Sequence, residues 1–393
     1  MIRYILISAA FGLLSTGCGG ETSSADGTSG PSNATIAATI LPEPNPNIDI
    51  LFVIDNSHSM LEEQNALANW AQTYLFGVIE TEAGFLPNLH IGVISSDMGT
   101  GDYASGGCEG SGDRGILHNQ PQLPGCAGPS DRYIRDVANP DGSRDRNYSG
   151  ELADAFACIS NLGTEGCGFE QPLEAMRLAL SGDVTENAGF LRDDALLAVI
   201  FITDEDDCST IDPQLFDPSQ AAVAELGPLA SFRCFEFGVT CAASDPRAPG
   251  ERTDCVAASS DFMNGIEPYV DVLRGLKADP SMVVVGAIAG PPEPVEVWAN
   301  PEDGRPELAP SCVAAGGGVA TPAVRLADFL GGFPARNQFA SICEGDLVGP
   351  LQSVASVIGG TAAASPCLRG ALADRDGDSP GVQPECSVFA VSD

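Results

Sequence analysis

The chain has 393 residues, and its 54 Asp and Glu against 18 Lys and Arg give a formal net charge of −36. Such an excess of negative charge repels nucleic acid and anionic lipid, which argues against both as partners, and it favours divalent cations and basic partners. Hydrophobic residues make up 44% of the chain, enough for a sizeable core and against wholesale disorder. The charge also fits a soluble, self-repelling surface, so alone it identifies no function.

The first eighteen residues are predicted to be a targeting segment. Arg3 supplies a positive charge, and the apolar stretch from Tyr4 to Leu14 is too short to span a bilayer comfortably. The segment ends in LSTGC, which resembles the lipobox of bacterial lipoproteins, so Cys18 is the expected lipidation site; ordinary secretion with a chance cysteine is the alternative. No aspartate follows Cys18, so we expect a lipoprotein of the cell envelope, anchored in the outer membrane and facing either the periplasm or the surface.

Composition divides the rest of the chain into three parts. Residues 19–47 are rich in Gly, Ser, Thr, Ala and Pro without periodicity, which predicts a flexible tether. A folded domain is predicted over residues 48–360, with insertions at about residues 99–149 and 208–259. A disulfide-closed tail is predicted over residues 361–393.

Apolar runs and helical spacing alternate along the domain. Nearly continuous apolar runs, typical of strands buried on both faces of a parallel sheet, occur at residues 48–54, 89–94, 195–203 and 282–289. Helical spacing occurs at residues 60–82, 151–162, 170–180, 262–277, 322–330 and 345–358, and a short hairpin is predicted near Tyr133. This alternation predicts the α/β class: a doubly wound, mostly parallel sheet flanked by helices, with disulfide-rich loop insertions.

Twelve cysteines remain beside Cys18, an even number that fits disulfides in an oxidising compartment. Zinc is not indicated, because there is no Cys-x-x-Cys and the chain has three histidines. The spacing leaves the connectivity open. Pairing neighbours in sequence is the simplest hypothesis, which joins Cys108 to Cys126, Cys158 to Cys167, Cys241 to Cys255, Cys312 to Cys343 and Cys367 to Cys386, and leaves Cys208 for Cys234.

Two strongly apolar strands are each followed by an aspartate, Asp55 and Asp204. In a parallel sheet both would emerge at the same edge, where doubly wound folds bind ligands. The first belongs to an Asp-x-Ser-x-Ser segment that adds Ser57 and Ser59. Alternate residues leaving a strand point to one side, so a carboxylate and two hydroxyls can face one point. Oxygen ligands of this kind suit a hard divalent cation.

An apolar strand, Asp-x-Ser-x-Ser and a long amphipathic helix together resemble the metal-ion-dependent adhesion site of von Willebrand factor A (VWA) domains. The resemblance covers about residues 48–358 and is strongest at the two strands that end in aspartate. It implies that Asp55 holds the metal mainly through water, that Ser57 and Ser59 bind it directly, and that Asp204 is the family's second aspartate. For the family's loop threonine, Glu170 lies nearest the expected place, with Thr164 as the alternative.

The resemblance also implies a function. In such sites the metal, here Mg²⁺ or Ca²⁺, binds a carboxylate of the partner, and a glutamate in the threonine's place would favour Ca²⁺. We therefore expect a non-enzymatic, lipid-anchored module that binds a protein or glycan ligand in adhesion, recognition or envelope assembly. The alternatives are a metal-dependent hydrolase, with the acidic run 204–207 holding two ions, and a structural envelope protein whose site is vestigial or merely stabilising.

Other polar residues have less specific interpretations. Residues 205–207 are expected to form a solvated acidic loop rather than a second ion site. His58, between the two serines, is expected at the rim or surface, and His90, within a strand, in the core. The run Asp374-Arg375-Asp376-Gly377-Asp378 resembles the start of a calcium loop but lacks its final glutamate, so an acidic turn is favoured.

Overall fold

The structure is a computed structural model that describes residues 5–7, 44–105, 108–122, 125–242, 245–363 and 388–390. The predicted lipidation site Cys18, most of the tether, the proposed Cys367–Cys386 pair and the acidic turn lie outside these residues. Ile5–Ile7 pairs in antiparallel fashion with Val388–Ala390.

Within the described residues, a seven-stranded sheet forms the centre of the fold. Its order is β7-β6-β5-β1-β2-β3-β4; the strands from β7 to β2 are parallel, β3 is antiparallel to β2, and β4 is antiparallel to β3. In chain order the strands are β1 (Asn47–Ile54), β2 (Asn88–Ser95), β3 (Ile134–Ala138), β4 (Arg144–Arg146), β5 (Leu196–Ile202), β6 (Val283–Ala289) and β7 (Asn337–Ser341).

The helices in the described residues are α1 (Leu61–Ala71), α2 (Gly77–Ala83), α3 (Leu152–Ser160), α4 (Pro172–Leu180), α5 (Gln220–Leu226), α6 (Phe232–Gly238), α7 (Glu267–Gly275), α8 (Val324–Gly331) and α9 (Val348–Ala363). Helices α1, α2, α3 and α9 pack on one face of the sheet and α4, α7 and α8 on the other, whereas α5 and α6 lie outside both cores. A π-helical turn, Gln72–Phe76, joins α1 to α2. Among the described residues, no helix is both long and apolar enough to cross a membrane.

Strand β1 contributes side chains to two hydrophobic cores, one on each face of the sheet. Its residues Ile48, Ile50, Phe52 and Ile54 pack on α1, α2, α3 and α9, whereas Leu51 and Val53 pack on α4, α7 and α8. Because successive side chains of a strand point to opposite faces, only a continuous apolar run can serve both layers. The prediction of a mostly parallel α/β sheet flanked by helices is confirmed.

Short antiparallel strands occur outside the central sheet. One three-stranded sheet contains Gly250–Arg252, Val295–Ala299 and Pro306–Leu308. Short antiparallel pairs also form: Gly101–Ser105 pairs with Cys108–Gly110, Val239–Thr240 with Val256–Ala257, and Cys312–Val313 with Val319–Ala320. The hairpin predicted near Tyr133 is β3–β4, which extends the central sheet beyond β2.

The disulfides confirm three of the expected pairs and correct two. Cys208–Cys234, Cys241–Cys255 and Cys312–Cys343 are formed as predicted. The pairs Cys108–Cys126 and Cys158–Cys167 are wrong: the bonds are Cys108–Cys167 and Cys126–Cys158. Cys158 lies on α3, whereas Cys167 is buried with Cys108 in a separate apolar cluster, so neighbours in sequence are not neighbours in space here.

A buried ion pair ties the second insertion to α8. The Nε of Arg325 lies 3.1 Å from a carboxylate oxygen of Asp207, and both side chains are fully buried. The guanidinium also donates to the carbonyl oxygens of Gly238, Ala258 and Asn264. The three guanidinium nitrogens therefore contact four separate residues of the chain.

The acidic run at 205–207 is not the solvated loop that we expected. Asp206 accepts hydrogen bonds from the backbone N–H groups of Arg325 and Leu326 in the first turn of α8. Asp207 is fully buried against Arg325 and also accepts from the backbone N–H of Leu173 in α4. Both carboxylates are structural, because unsatisfied N–H groups at helix starts attract negative charge.

We expect Arg325→Met to lower the free energy of unfolding by about 3–5 kcal/mol, because it leaves Asp207 buried without a cation. Urea unfolding with the disulfides intact measures this change. The control Arg177→Met removes a half-exposed pair with Glu174 and is expected to cost about 1 kcal/mol or less. A loss as small as the control's in Arg325→Met would contradict the role of this pair.

His90 is a core histidine, as predicted. Its ring is buried, and Nδ1 lies 2.8 Å from the carbonyl oxygen of Phe190, which can only accept, so Nδ1 carries the proton. Burial lowers the pKa of His90 to about 4, since a charged ring would lose its hydration.

The depressed pKa of His90 predicts a pH dependence of stability. Between pH 6.5 and pH 4 the unfolded chain protonates this ring while the folded chain does not, so the stabilising contribution present above pH 6.5 is lost as pH falls toward 4. The loss amounts to about 3 kcal/mol. We expect His90→Gln to lose this component of the pH profile, measured by urea unfolding, while the exposed control His58→Gln keeps it. Identical profiles for all three proteins would contradict this.

Candidate metal centre

The candidate centre lies at the point where the strand order of the sheet reverses. Strands β1 and β5 are parallel neighbours; the chain extends the sheet from β1 through β2 and β3, and from β5 through β6 and β7. A crevice opens beyond the carboxyl ends of two such strands, and ligands bind there in doubly wound folds. Asp55 follows β1 directly, and Asp204 lies two residues beyond β5.

Asp55 is fully buried and held by hydrogen bonds on both carboxylate oxygens. One oxygen accepts from the backbone N–H of Ser57 at 2.7 Å, and the other accepts from the hydroxyl of Thr203 at 2.8 Å. The backbone N–H of Asp55 continues the ladder with β5 through the carbonyl oxygen of Ile202, at 2.9 Å. The carboxylate therefore has one fixed orientation.

The two serines of the motif lie together, and one of them reaches solvent. Their hydroxyl oxygens are 3.1 Å apart; Ser57 is buried, and Ser59 is exposed. His58 between them is also exposed, as predicted, and it begins a 3-10 helical turn, His58–Met60. The hydroxyl pair can therefore meet a cation that arrives from solvent.

A second loop is docked on this segment. The side-chain amide of Gln64 donates to the carbonyl oxygens of Asp55 and Gly163, both at 3.0 Å, and its oxygen accepts from the backbone N–H of Leu162 at 2.9 Å. Gly166 comes so close to Asn56 that a Cβ would lie 2.2 Å from its amide oxygen, so only glycine fits. These contacts bring the loop at 162–170 to the aspartate motif.

Glu170, at the end of that loop, is fully buried, whereas Thr164 is half-buried. One carboxylate oxygen of Glu170 accepts from the hydroxyl of Ser96 at 2.8 Å. Within the described residues, its other oxygen has no hydrogen-bond partner, and the same is true of one buried oxygen of Asp204. A buried carboxylate oxygen without a partner is costly, so both oxygens call for a donor or a cation.

The carboxylates at this edge raise one another's pKa. Burial, followed by the charge of Asp55, raises the pKa of Asp204 to about 7 and that of Glu170 well above its ordinary value. Burial also raises the pKa of Asp55, and burial with the charges of Asp204 and Asp55 raises that of Glu205 to about 8. Burial is the larger cause in each case, and repulsion from neighbouring carboxylates adds to it for Glu170, Asp204 and Glu205.

No cation offsets this charge within the described residues. Asp55, Glu170 and Asp204 have no Lys, Arg or His nitrogen within 4.0 Å, whereas the buried Asp49 lies 2.8 Å from Arg192. Asp207 likewise has Arg325. The fold thus matches its structural buried aspartates with cations and leaves the carboxylates of the crevice without one.

The donor set fits a hard divalent cation. Among the described residues, no three His, Cys, Asp or Glu side chains are grouped so as to hold a metal by themselves, so carboxylates alone do not form the site. The crevice instead combines unpartnered carboxylate oxygens with two hydroxyls, and such mixed oxygen ligands suit Mg²⁺ and Ca²⁺. The residues that would hold an ion are Asp55, Ser57, Ser59, Glu170 and Asp204.

Sequence reasoning missed the residues that orient these groups. Thr203 and Ser96 each follow a central strand directly and donate to Asp55 and Glu170. The rule that identified the two aspartates, polar residues just beyond buried strands, would have found both. Gln64 has no such indication, because its role depends on where the distant loop docks. No protein-family model matches the chain, and no curated protein matches it.

The uncompensated charge predicts that Asp204→Asn stabilises the metal-free protein. Because the pKa of Asp204 is raised in the folded state, its carboxylate destabilises the fold above pH 7, and this cost disappears as pH falls toward the ordinary value near 4. In chelator at pH 8 we expect a gain of about 4 kcal/mol in urea unfolding, with no gain near pH 4.

Asp207→Asn is the matched control for this measurement. It is expected to destabilise the protein, because Asp207 has its cation in Arg325. The two substitutions should therefore act in opposite directions. A loss of stability in Asp204→Asn at pH 8 would show that its charge is compensated after all.

Proposed function

We propose that this protein is a lipid-anchored, extracytoplasmic VWA-like module that binds a protein or glycan ligand through a divalent metal ion. The observation that carries the proposal is the set of buried carboxylates without a cation, beside two hydroxyls, at the carboxyl edge of β1 and β5. An ion in the crevice would remove the cost of burying that charge.

The order of the strands supports the VWA-like part of the proposal. Counting outward, β3-β2-β1 on one side and β5-β6-β7 on the other is the order of a doubly wound sheet; β3 is antiparallel to β2, and β4 extends the sheet beyond it. The Asp-x-Ser-x-Ser segment leaves β1 at the point where this order reverses. A resemblance that began as a sequence motif therefore agrees with the position of the motif in the fold.

The residues of the crevice have separate roles in this proposal. Asp55, with both oxygens already hydrogen-bonded, would act largely through water, whereas Asp204 and Glu170 each offer one unpartnered oxygen and Ser57 and Ser59 offer their hydroxyl oxygens. A bound ion would supply positive charge for a ligand carboxylate, and exposed Ser59 lies on the side where such a ligand would enter. Glu170 adds negative charge, so we favour Ca²⁺ over Mg²⁺.

The proposed location follows from the disulfides and the lipobox. Five disulfides in the described residues fit an oxidising compartment. The N-terminal segment ending at Cys18 would provide a lipid anchor, which we place in the outer membrane. The large negative charge keeps the module from lying on anionic lipid and leaves its crevice free for a ligand.

Calorimetric titration of Mg²⁺, Mn²⁺ and Ca²⁺ into the oxidised full-length chain tests the proposal. We expect binding at one site in the parent protein and none in Asp55→Ala. Ser59→Ala, an exposed position with little effect on folding, is expected to weaken binding roughly tenfold, because a direct oxygen ligand is lost. Circular dichroism verifies that each variant is folded.

His58→Gln is the control, because this side chain lies between the two serines in sequence and is exposed to solvent. It is expected to bind the ion as the parent does. Absence of binding in the folded parent protein would overturn the proposal and leave a scaffold with a vestigial site. Hydrolysis of model esters or phosphates that is lost in Asp55→Ala would instead support a metal-dependent hydrolase.

A further inference from the structure

A hairpin over residues 311–321 adjoins the candidate metal centre. Its two strands, Cys312–Val313 and Val319–Ala320, are antiparallel, and the turn between them ends in three consecutive glycines. At the base of the hairpin, the backbone N–H of Thr321 donates to the carbonyl oxygen of Asp204 at 2.9 Å. The base is therefore hydrogen-bonded to the main chain of a residue in the crevice.

The tip of the hairpin lies against the start of α1. A Cβ atom on Gly316 would lie 3.2 Å from a carboxylate oxygen of Glu62. A Cβ atom on Gly318 would lie 3.7 Å from a carboxylate oxygen of Glu63. Both glutamates belong to the first turn of α1, just after the aspartate motif. The hairpin therefore borders one side of the crevice, from Asp204 to α1.

The contact at the tip is unfavourable. One buried oxygen of Glu63 has no hydrogen-bond partner within the described residues. Burial raises the pKa of Glu63, and the charge of Glu62 raises it further. The side chains of Val313 and Val319 are 64% and 50% exposed, so the hairpin gains little from apolar burial. A displaced tip would let water reach Glu63 and would remove this cost.

The Cys312–Cys343 disulfide opposes that displacement, because it joins the first strand of the hairpin to the segment just after β7. Both of its cysteines are half-buried, whereas those of Cys108–Cys167 and Cys208–Cys234 are buried. A reductant in solution therefore reaches Cys312–Cys343 more readily than the two bonds that hold the loops around Glu170 and Asp204.

We propose that the Cys312–Cys343 disulfide is a redox-sensitive switch of the metal site. A dithiol reductant transfers two electrons and two protons: the S–S bond breaks, Cys312 and Cys343 become thiols, and the dithiol becomes a disulfide. The released hairpin leaves α1, and Thr321 no longer holds the main chain of Asp204, so the ion binds more weakly. The effect on the ion rests on the proposed function, whereas release of the hairpin rests on the contacts of the hairpin alone.

Release of the hairpin is tested in the metal-free, full-length chain by hydrogen–deuterium exchange. In the double variant Cys312→Ser/Cys343→Ser we expect peptides spanning residues 311–321 to exchange about tenfold faster than in the parent protein, because their backbone hydrogen bonds open more often. Exchange in β1 and β5 should stay slow, which verifies that the fold is intact.

The matched control is Cys241→Ser/Cys255→Ser, which removes another disulfide with half-buried cysteines in a different part of the chain. It should leave exchange in the hairpin as it is in the parent. Unchanged exchange of residues 311–321 in Cys312→Ser/Cys343→Ser, or the same acceleration in the control, would overturn the switch.

Reduction is tested on the oxidised parent protein with a limiting amount of dithiothreitol, followed by alkylation and mass spectrometry. We expect Cys312 and Cys343 to be alkylated before the cysteines of Cys108–Cys167 and Cys208–Cys234, because those pairs are buried. Reduction of either buried pair before Cys312–Cys343 would contradict the redox step, and this measurement requires no variant to fold.

The effect on the ion is measured by calorimetric titration of Ca²⁺. We expect about tenfold weaker binding in Cys312→Ser/Cys343→Ser than in the parent, and parental affinity in the Cys241→Ser/Cys255→Ser control. Equal affinity in both double variants would overturn the coupling of the hairpin to the metal. Absence of Ca²⁺ binding to the parent would overturn the proposed function separately, and hydrogen exchange would still decide whether the disulfide holds the hairpin.

Discussion

The chemistry of this protein depends on negative charge that the fold buries and does not neutralise. Asp55, Glu170 and Asp204 are brought to one crevice by parallel strands and a docked loop, and within the described residues none of them meets a cation. Hydroxyls of Thr203 and Ser96 satisfy some of their oxygens, but hydrogen bonds from neutral groups do not cancel charge. The remaining cost appears as raised pKa values, and a bound ion would relieve it.

The other buried aspartates of this fold are paired with cations. The carboxylates of the crevice differ from them, because they have no such partner in the described residues. Asp207 has Arg325 and the start of α4 beside it, although it is only three residues from Asp204. Asp49, at the opposite end of β1 from Asp55, has Arg192. Structural ion pairs and a candidate site with unpaired carboxylates thus lie close together along the same part of the chain. Buried charged groups without a compensating partner are expected at sites where a protein binds a ligand.

The sequence was sufficient for the parts of the structure that depend on local periodicity. Continuous apolar runs predicted the buried strands, and the position of Asp55 and Asp204 after two of them predicted their common edge. It was insufficient where distant segments meet: the Cys108–Cys167 and Cys126–Cys158 bonds, and the contacts of Gln64, depend on how the insertion folds back. Helices α5 and α6 have seven residues each, too few for a periodic pattern, and the polar edge strand β7 has none.

The disulfide-bonded insertions and the sheet hold different parts of the candidate site. The sheet positions Asp55 and Asp204 through backbone pairing, which tolerates little change. The Cys108–Cys167 bond fastens the loop that carries Glu170, and Cys208–Cys234 closes the segment just after Asp204. Covalent bonds hold irregular loops in place where a hydrophobic core cannot. The insertions can therefore vary in sequence around the proposed metal site while the strand ends that carry Asp55 and Asp204 keep their positions.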